Sequence, residues 1–237
     1  MLYIENLTKT YGDKKAVDDL SLHIAPGEIY GFIGHNGAGK TTTIKACAGI
    51  LRFDEGRILI DRLDVEQKPL ECKQRIAYIP DNPDLYEFMS GAKYLNFIAD
   101  VFRVSAEQRS ERIRRYADLF SLTDDLAQPV SAYSHGMKQK LALISAFIRD
   151  PKLIIMDEPF VGLDPKASHL LKELMRRHCD GGGAIFFSTH VLEVAEKLCD
   201  KVAIIKDGRL VASGTMDEVK GNSSLETVFL ELEGDDA

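Results

Sequence analysis

Residues 28–42 read Glu-Ile-Tyr-Gly-Phe-Ile-Gly-His-Asn-Gly-Ala-Gly-Lys-Thr-Thr. Ile29, Tyr30, Phe32 and Ile33 form an apolar run that reads as a strand, Gly34-x-x-x-x-Gly39-Lys40-Thr41 follows at once, and Thr42 to Ile50 reads as a helix ended near Gly49. Strand, glycine-rich turn and helix in this order make a phosphate-binding loop. Gly34, Gly37 and Gly39 lack a Cβ, so the backbone can curl until successive N–H groups point inward at phosphate oxygens. The helix that follows adds its positive N-terminal end. Lys40 is expected to reach the β- and γ-phosphates as a compact charge, and the Thr41 hydroxyl to ligate Mg²⁺. The nucleotide-binding set on this stretch is Gly34, His35, Asn36, Gly37, Ala38, Gly39, Lys40, Thr41 and Thr42.

Around this loop the composition sets bounds. A chain of 237 residues suits one large domain or a core with an inserted subdomain. At that size roughly 70–75% of the unfolded surface can be buried. Hydrophobic content of 45% and charged content of 28% are those of a soluble globular protein. A net charge of −7 with no basic stripe argues against a nucleic-acid partner. Cys47, Cys72, Cys179 and Cys199 make no CxxC pair and no metal-ligand spacing, which predicts a reduced, cytosolic chain. The N-terminus lacks the charged and apolar blocks of a signal peptide, and no apolar run approaches the ~20 residues that span a bilayer. Any membrane role is therefore expected to come through a partner.

Residues 1–27 alternate like an antiparallel sheet, with a turn at Tyr11–Lys15 and another at Pro26-Gly27. Further short strands are predicted over 57–61, after an Asp54-Glu55-Gly56 turn, and over 75–79, closed by Pro80. From about 85 to 150 the periodicity is helical: Tyr94, Leu95, Ile98, Val101 and Phe102 share one face, Ser105-x-x-Gln108 opens a second helix, and a third runs from about Gly136 to Arg149. After Pro151 strands and helices alternate. Leu153–Met156, Ala184–Phe187 and Val202–Ile205 are continuous apolar runs, as in parallel strands covered on both faces. Asp164 and Pro165 read as N-cap and first residue of a helix to about His178, broken by Gly181–Gly183, with another helix over 191–199. This order implies right-handed crossovers and a parallel sheet. The end, Gly234-Asp-Asp-Ala, reads as a frayed acidic tail.

Three further places carry chemistry. Asp157-Glu158 closes the strand 153–156, where one carboxylate can hold Mg²⁺ and the next can polarise a water. Ser188-Thr189-His190 ends the strand 184–187, at the edge where open α/β sheets bind nucleotides. Ser134 reads as the N-cap of the third helix, whose free N–H groups form a second anion site with Gly136 just inside it. Two phosphate-binding helix ends far apart in sequence point to a site completed by a second copy.

Together these residues resemble the ATP-binding subunit of an ABC transporter over essentially the whole chain. Gly34–Thr41 matches the family's Walker A motif and Leu153–Asp157 its Walker B. Glu158 matches the general base, His190 the switch histidine that contacts the γ-phosphate, Val161–Asp164 the D-loop, and Tyr11 the aromatic residue that stacks on adenine. Tyr133-Ser134-His135-Gly136-Met137 falls at the signature, which the family writes Leu-Ser-Gly-Gly-Gln. Two departures stand out. Asp81 occupies the place of the Q-loop glutamine, where a shorter carboxylate can still serve Mg²⁺ or its water. His135 and Met137 replace glycine and glutamine, while Ser134 and Gly136 remain.

The resemblance implies a P-loop NTPase of mixed α/β class. It would comprise a RecA-like core with an antiparallel β-subdomain (1–84 and 151–220), a helical subdomain (85–150) and a short tail (221–237). It implies an Mg²⁺-dependent ATPase, cytoplasmic and peripheral on the inner face of the membrane. Its partners would be separate transmembrane permease subunits and an identical or related ATPase chain. In each composite site one chain would supply Tyr11, the loop, Asp81, Asp157, Glu158 and His190, and the other Ser134 and Gly136. By analogy with bacterial export systems, transport is expected to be outward. The competing expectation is a soluble ABC-type ATPase without a membrane partner, which the absence of coiled-coil or zinc insertions disfavours. A non-hydrolysing nucleotide-binding regulator is disfavoured by Glu158 and His190.

Overall fold

The computed structural model describes residues 1–234, so the acidic tail past Gly234 lies outside the described residues. In chain order β1 (Leu2–Tyr11), β2 (Lys14–Ile24), β3 (Ile29–Ile33), α1 (Lys40–Cys47), β4 (Glu55–Ile60), β5 (Leu63–Asp64), α2 (Pro69–Arg75) and β6 (Ile76–Ile79) come first. The helical block follows as α3 (Gly91–Val101), α4 (Ala106–Leu119) and α5 (His135–Phe147). The chain then returns through β7 (Leu153–Asp157), α6 (Pro165–Asp180), β8 (Ala184–Thr189), α7 (Leu192–Leu198), β9 (Lys201–Lys206), β10 (Arg209–Thr215), α8 (Met216–Lys220) and α9 (Leu225–Gly234).

Two sheets form. The larger has the order β10-β9-β3-β8-β7-β6 and is parallel except for β10, which runs antiparallel to β9. The smaller, β2-β1-β4-β5, is antiparallel. In the parallel strands successive side chains face opposite layers, a direct consequence of the two-residue strand period. Ile29, Ile33, Ile154, Met156, Ile185 and Phe187 pack toward the helices α5, α6 and α7. Tyr30, Phe32, Leu153, Ile155, Ala184 and Phe186 pack toward α1 and the antiparallel sheet. Both faces are dry, which is why these strands read as unbroken apolar runs. Each fully buried Phe, Leu or Ile of these layers contributes about 1.5–3 kcal/mol of transfer free energy.

The helix starts follow the capping logic. The Asp164 carboxylate accepts from the Ala167 N–H at 2.8 Å with Pro165 next, and the Ser105 hydroxyl accepts from the Gln108 N–H at 3.3 Å, one half of a capping box. Several pieces of structure differ from the sequence expectation, β5 and α8 among them, neither of which was expected. Glu55 and Gly56 already belong to β4 rather than to a turn. α2 was not expected, because its seven residues have too few apolar positions to show a period. β10 was not expected either, although Asp207-Gly208 (φ 47° and 81°) is the two-residue turn that joins it to β9. The stretch 221–234, expected as a tail, carries α9, whose Val228, Phe229 and Leu232 pack on the helical-side core. Their spacing is too short a run to distinguish from a tail.

Candidate functional site

The glycine-rich loop leaves the C-terminal end of β3, in the middle of the parallel sheet, and re-enters the core as α1. Its path is crowded. A Cβ at Gly34 would lie 2.5 Å from the Ile205 carbonyl oxygen, and one at Gly39 (φ 110°) 2.3 Å from that of Ala16. Only glycine fits either place. Gly39 is also the N-cap of α1 and offers no side-chain acceptor, so the first N–H groups of the helix are left for an anion. Lys40 is buried beneath the loop, its ammonium donating to the carbonyls of Gly34 at 2.6 Å and His35 at 3.1 Å. An ammonium has three donors, so one remains. Burial lowers the Lys40 pKa from the ordinary lysine value, and the Glu158 and Asp157 carboxylates pull it back.

β7 and β8 lie side by side with Asp157 opposite Ser188. That register builds a network at the strand ends. The Thr41 hydroxyl donates to Asp157 Oδ2 at 2.7 Å, and the Ser188 hydroxyl donates to Asp157 Oδ1 while accepting from the Glu158 N–H at 3.1 Å. Glu158 leaves the strand with φ 47°, a left-handed turn that costs a non-glycine residue about 1 kcal/mol or more and is characteristic of functional sites. The turn swings its carboxylate away from Asp157 toward an imidazole and an ammonium: His190 Nδ1 lies 2.9 Å from Glu158 Oε1, and Lys40 Nζ lies 3.9 Å from it. The His190 backbone N–H adds a contact to Oε2 at 3.4 Å.

A cleft of about 450 Å³ opens over this network. Tyr11, Asn36, Gly37, Gly39, Lys40, Thr41, Thr42, Asp81, Asp157 and Glu158 all line it. Gly34 and His35 serve it from below through their carbonyls, Ala38 is buried in the turn, and His190 joins through Glu158. Tyr11 stands half-exposed at the mouth, with the Lys9 ammonium 5.4 Å from its ring centroid. Ser134 and Gly136 do not line the cleft. They sit at the exposed tip of α5, where the Ser134 hydroxyl accepts from the Met137 N–H at 3.3 Å.

Three residues of the site escaped the sequence reading. Lys14 and Ala16 line the cleft from the start of β2, brought there by pairing that no local motif announces. Ser188 was noted only as a neighbour of His190; two adjacent apolar strands ending in polar residues are the signal that pairs it with Asp157. Tyr78 on β6 is a fourth group of interest. Its hydroxyl is buried without a hydrogen-bond partner among the described residues, and burial, then the Asp157 and Asp81 charges, push its pKa up to about 12.

The donors suit a hard divalent cation: one hydroxyl and one carboxylate already in contact, with Asp81 across the cleft. Among the described residues no group of three or more His, Cys, Asp or Glu side chains could hold an ion alone. A hydroxyl with one or two carboxylates is a donor set of the kind a cation such as Mg²⁺ takes.

Comparison with known proteins agrees with this geometry. The family model described as ABC transporter matches residues 17–161, more than half of the chain. The uncharacterised ABC transporter ATP-binding protein all4389 of Nostoc sp. is 38% identical over 206 residues, covering 86% of this chain and 61% of that protein's length. The daunorubicin resistance ATP-binding protein DrrA3 of Streptomyces coeruleorubidus is 33% identical over 220 residues, covering 93% of this chain and 70% of that protein. A solved structure described as the ATP binding subunit of an ABC transporter superposes with a TM-score of 0.95 at 34% identity, covering 98% of this chain and 99% of the other. A phosphate loop sunk in a parallel sheet, a carboxylate pair at the neighbouring strand end and these relatives lead to one conclusion: the chain belongs to the ABC transporter family, among its ATP-binding proteins.

Proposed function

We propose that the chain is the ATP-hydrolysing subunit of an ABC transporter, working as a head-to-tail pair with an identical or related chain on separate permease subunits. The observation that carries this reading is the network Thr41–Asp157–Ser188–Glu158–His190 along the floor of the Lys40 cleft. The N–H groups of the loop and the remaining donor of Lys40 bind the phosphates of ATP, and Tyr11 meets the base. Thr41 and Asp157, with Asp81 lining the same cleft, would hold Mg²⁺, which would supply positive charge against the charge developing on the phosphate oxygens. Glu158 accepts the proton of the attacking water, and His190 fixes the direction of its carboxylate. Ser134 and Gly136 of the opposite chain complete the site at the terminal phosphate.

Among the described residues no helix is long and apolar enough to cross a membrane. The permease contact is assigned to the helical block. There Tyr86, Phe88 and Phe97 are exposed by 48%, 81% and 37%, and the Tyr86 ring lies within 6 Å of both neighbours. The patch follows Asp81 closely in the chain. Residues 1–84 and 151–220 act as the nucleotide-binding core and 85–150 as the arm that grips the partner. The chain thus works at the cytoplasmic face of the membrane, and the likeness to a drug-resistance protein favours export.

Replacing Glu158 with Gln tests the reading. Turnover is expected to fall roughly 10²-fold or more, the usual weight of a general base, and ATP is expected to trap a stable dimer visible by size-exclusion chromatography with light scattering. Undiminished hydrolysis overturns the role of Glu158.

A further inference from the structure

The first two turns of α5 lie against the segment 159–164 that follows Glu158. Gln139, fully buried on α5, donates from Nε2 to the Pro159 carbonyl at 3.4 Å. Lys140 Nζ lies 2.6 Å from Asp164 Oδ2, the carboxylate that caps α6. A Cβ at Gly136 would come within 2.7 Å of the Gly162 carbonyl oxygen, and a Cβ at Gly162 (φ 78°) within 2.4 Å of His135 Cδ2. Helix tip and turn thus meet through His135, Gly136, Gln139 and Lys140 on one side and Pro159, Gly162 and Asp164 on the other. At its other end the segment is anchored to β8: Glu158 N–H on Ser188 Oγ, and the Phe160 ring edge-on to Phe187 at 6.0 Å.

Gln139 is the informative member. Its Oε1 is buried with no partner among the described residues, so the amide is only half satisfied. An apolar side chain of the same shape would fill the space without burying an unpaired acceptor. Packing therefore does not account for a glutamine here, whereas the bond to Pro159 does. We propose that Gln139 is a positioning residue that ties the helix presenting Ser134 to the segment carrying Glu158, so that the two move as one body. Given the head-to-tail pair proposed above, on which this inference rests, Ser134 and Glu158 of one chain serve different ATP sites. The tie then makes engagement of Ser134 at one site set the carboxylate at the other.

The test is Gln139→Met, which keeps an unbranched side chain and deletes the amide. Hydrolysis is followed against ATP concentration, alongside binding of a fluorescent ATP analogue and the thermal midpoint. The unaltered chain is expected to show a Hill slope approaching 2, the ceiling for two linked sites, and the variant a slope of about 1 with turnover lowered about fivefold or more. Analogue affinity should stay within about twofold, since the cleft is untouched. A fall in turnover or thermal midpoint with the slope unchanged makes Gln139 a packing residue and overturns the proposal. If the variant does not fold, Lys140→Met tests the same tie from its half-exposed end: a lowered slope supports it and an unchanged slope overturns it. Failure of the pairing itself is separately visible as a slope of 1 in the unaltered chain together with no ATP-trapped dimer of Glu158→Gln.

Discussion

Two helix N-termini of this molecule are proposed to meet phosphate, each in a different site of the pair, and they are built in opposite ways. That of α1 is sunk into the parallel sheet: its N-cap is an uncapped glycine, its lysine is buried, and its turn is wedged against the Ala16 and Ile205 carbonyls. That of α5 is exposed and capped by its own serine. The first is a finished half-site whose groups are over-determined by the core around them. In the proposed pair the second is a half-site offered outward, to a phosphate held by the other chain. A clamp divided in this way is open whenever the chains are apart, and its closure becomes a report that ATP is bound.

The contrast can be broken most sharply at Lys40. Lys40→Ala deletes a buried cation under the loop, and ATP affinity is expected to fall about 100-fold or more, as for loss of a charge-assisted contact in a desolvated site. Equilibrium binding of ATP checks this, and retained affinity would mean that the loop is not the cradle. Next, Gly34→Ala should lower stability by about 1–3 kcal/mol, the usual cost of forcing extra bulk into a packed site. Chemical denaturation measures it. The smallest effect is expected from Ser134→Ala. Because Ser134 stands outside the cleft of its own chain, ATP affinity of the isolated chain should remain within about twofold. Turnover should drop about tenfold or more, the worth of one hydrogen bond to a charged group. A large loss of affinity in the isolated chain would erase the division between the two ends.

Much of the first half-site was legible in the residues. Gly34, Gly39 and Lys40 are read from spacing, and at the two glycines a Cβ would meet the Ile205 and Ala16 carbonyl oxygens at 2.5 and 2.3 Å, so no other residue type fits there. Asp157 and Glu158 are read from the end of an apolar run, since a strand covered on both faces can show polar groups only at its termini. Ser188 was harder, because its role depends on the register of β8 beside β7, thirty residues away in sequence. Lys14 and Ala16 were illegible for the same reason. β10 and α9 were missed because an edge strand and a terminal helix bury one narrow face each and leave little periodicity.

Local chemistry, then, was enough to establish the strand–loop–helix, the carboxylate pair, the capped helix starts and the class of ligand. These depend on groups within a few residues of one another, and steric limits make them nearly unique. Which carboxylate meets Thr41, how Glu158 turns toward His190, and how α5 rests on the turn 159–164 were decided only by the folded chain. Those contacts join segments brought side by side by sheet order and layer packing, and loop closure over such distances leaves no mark on the sequence at either end.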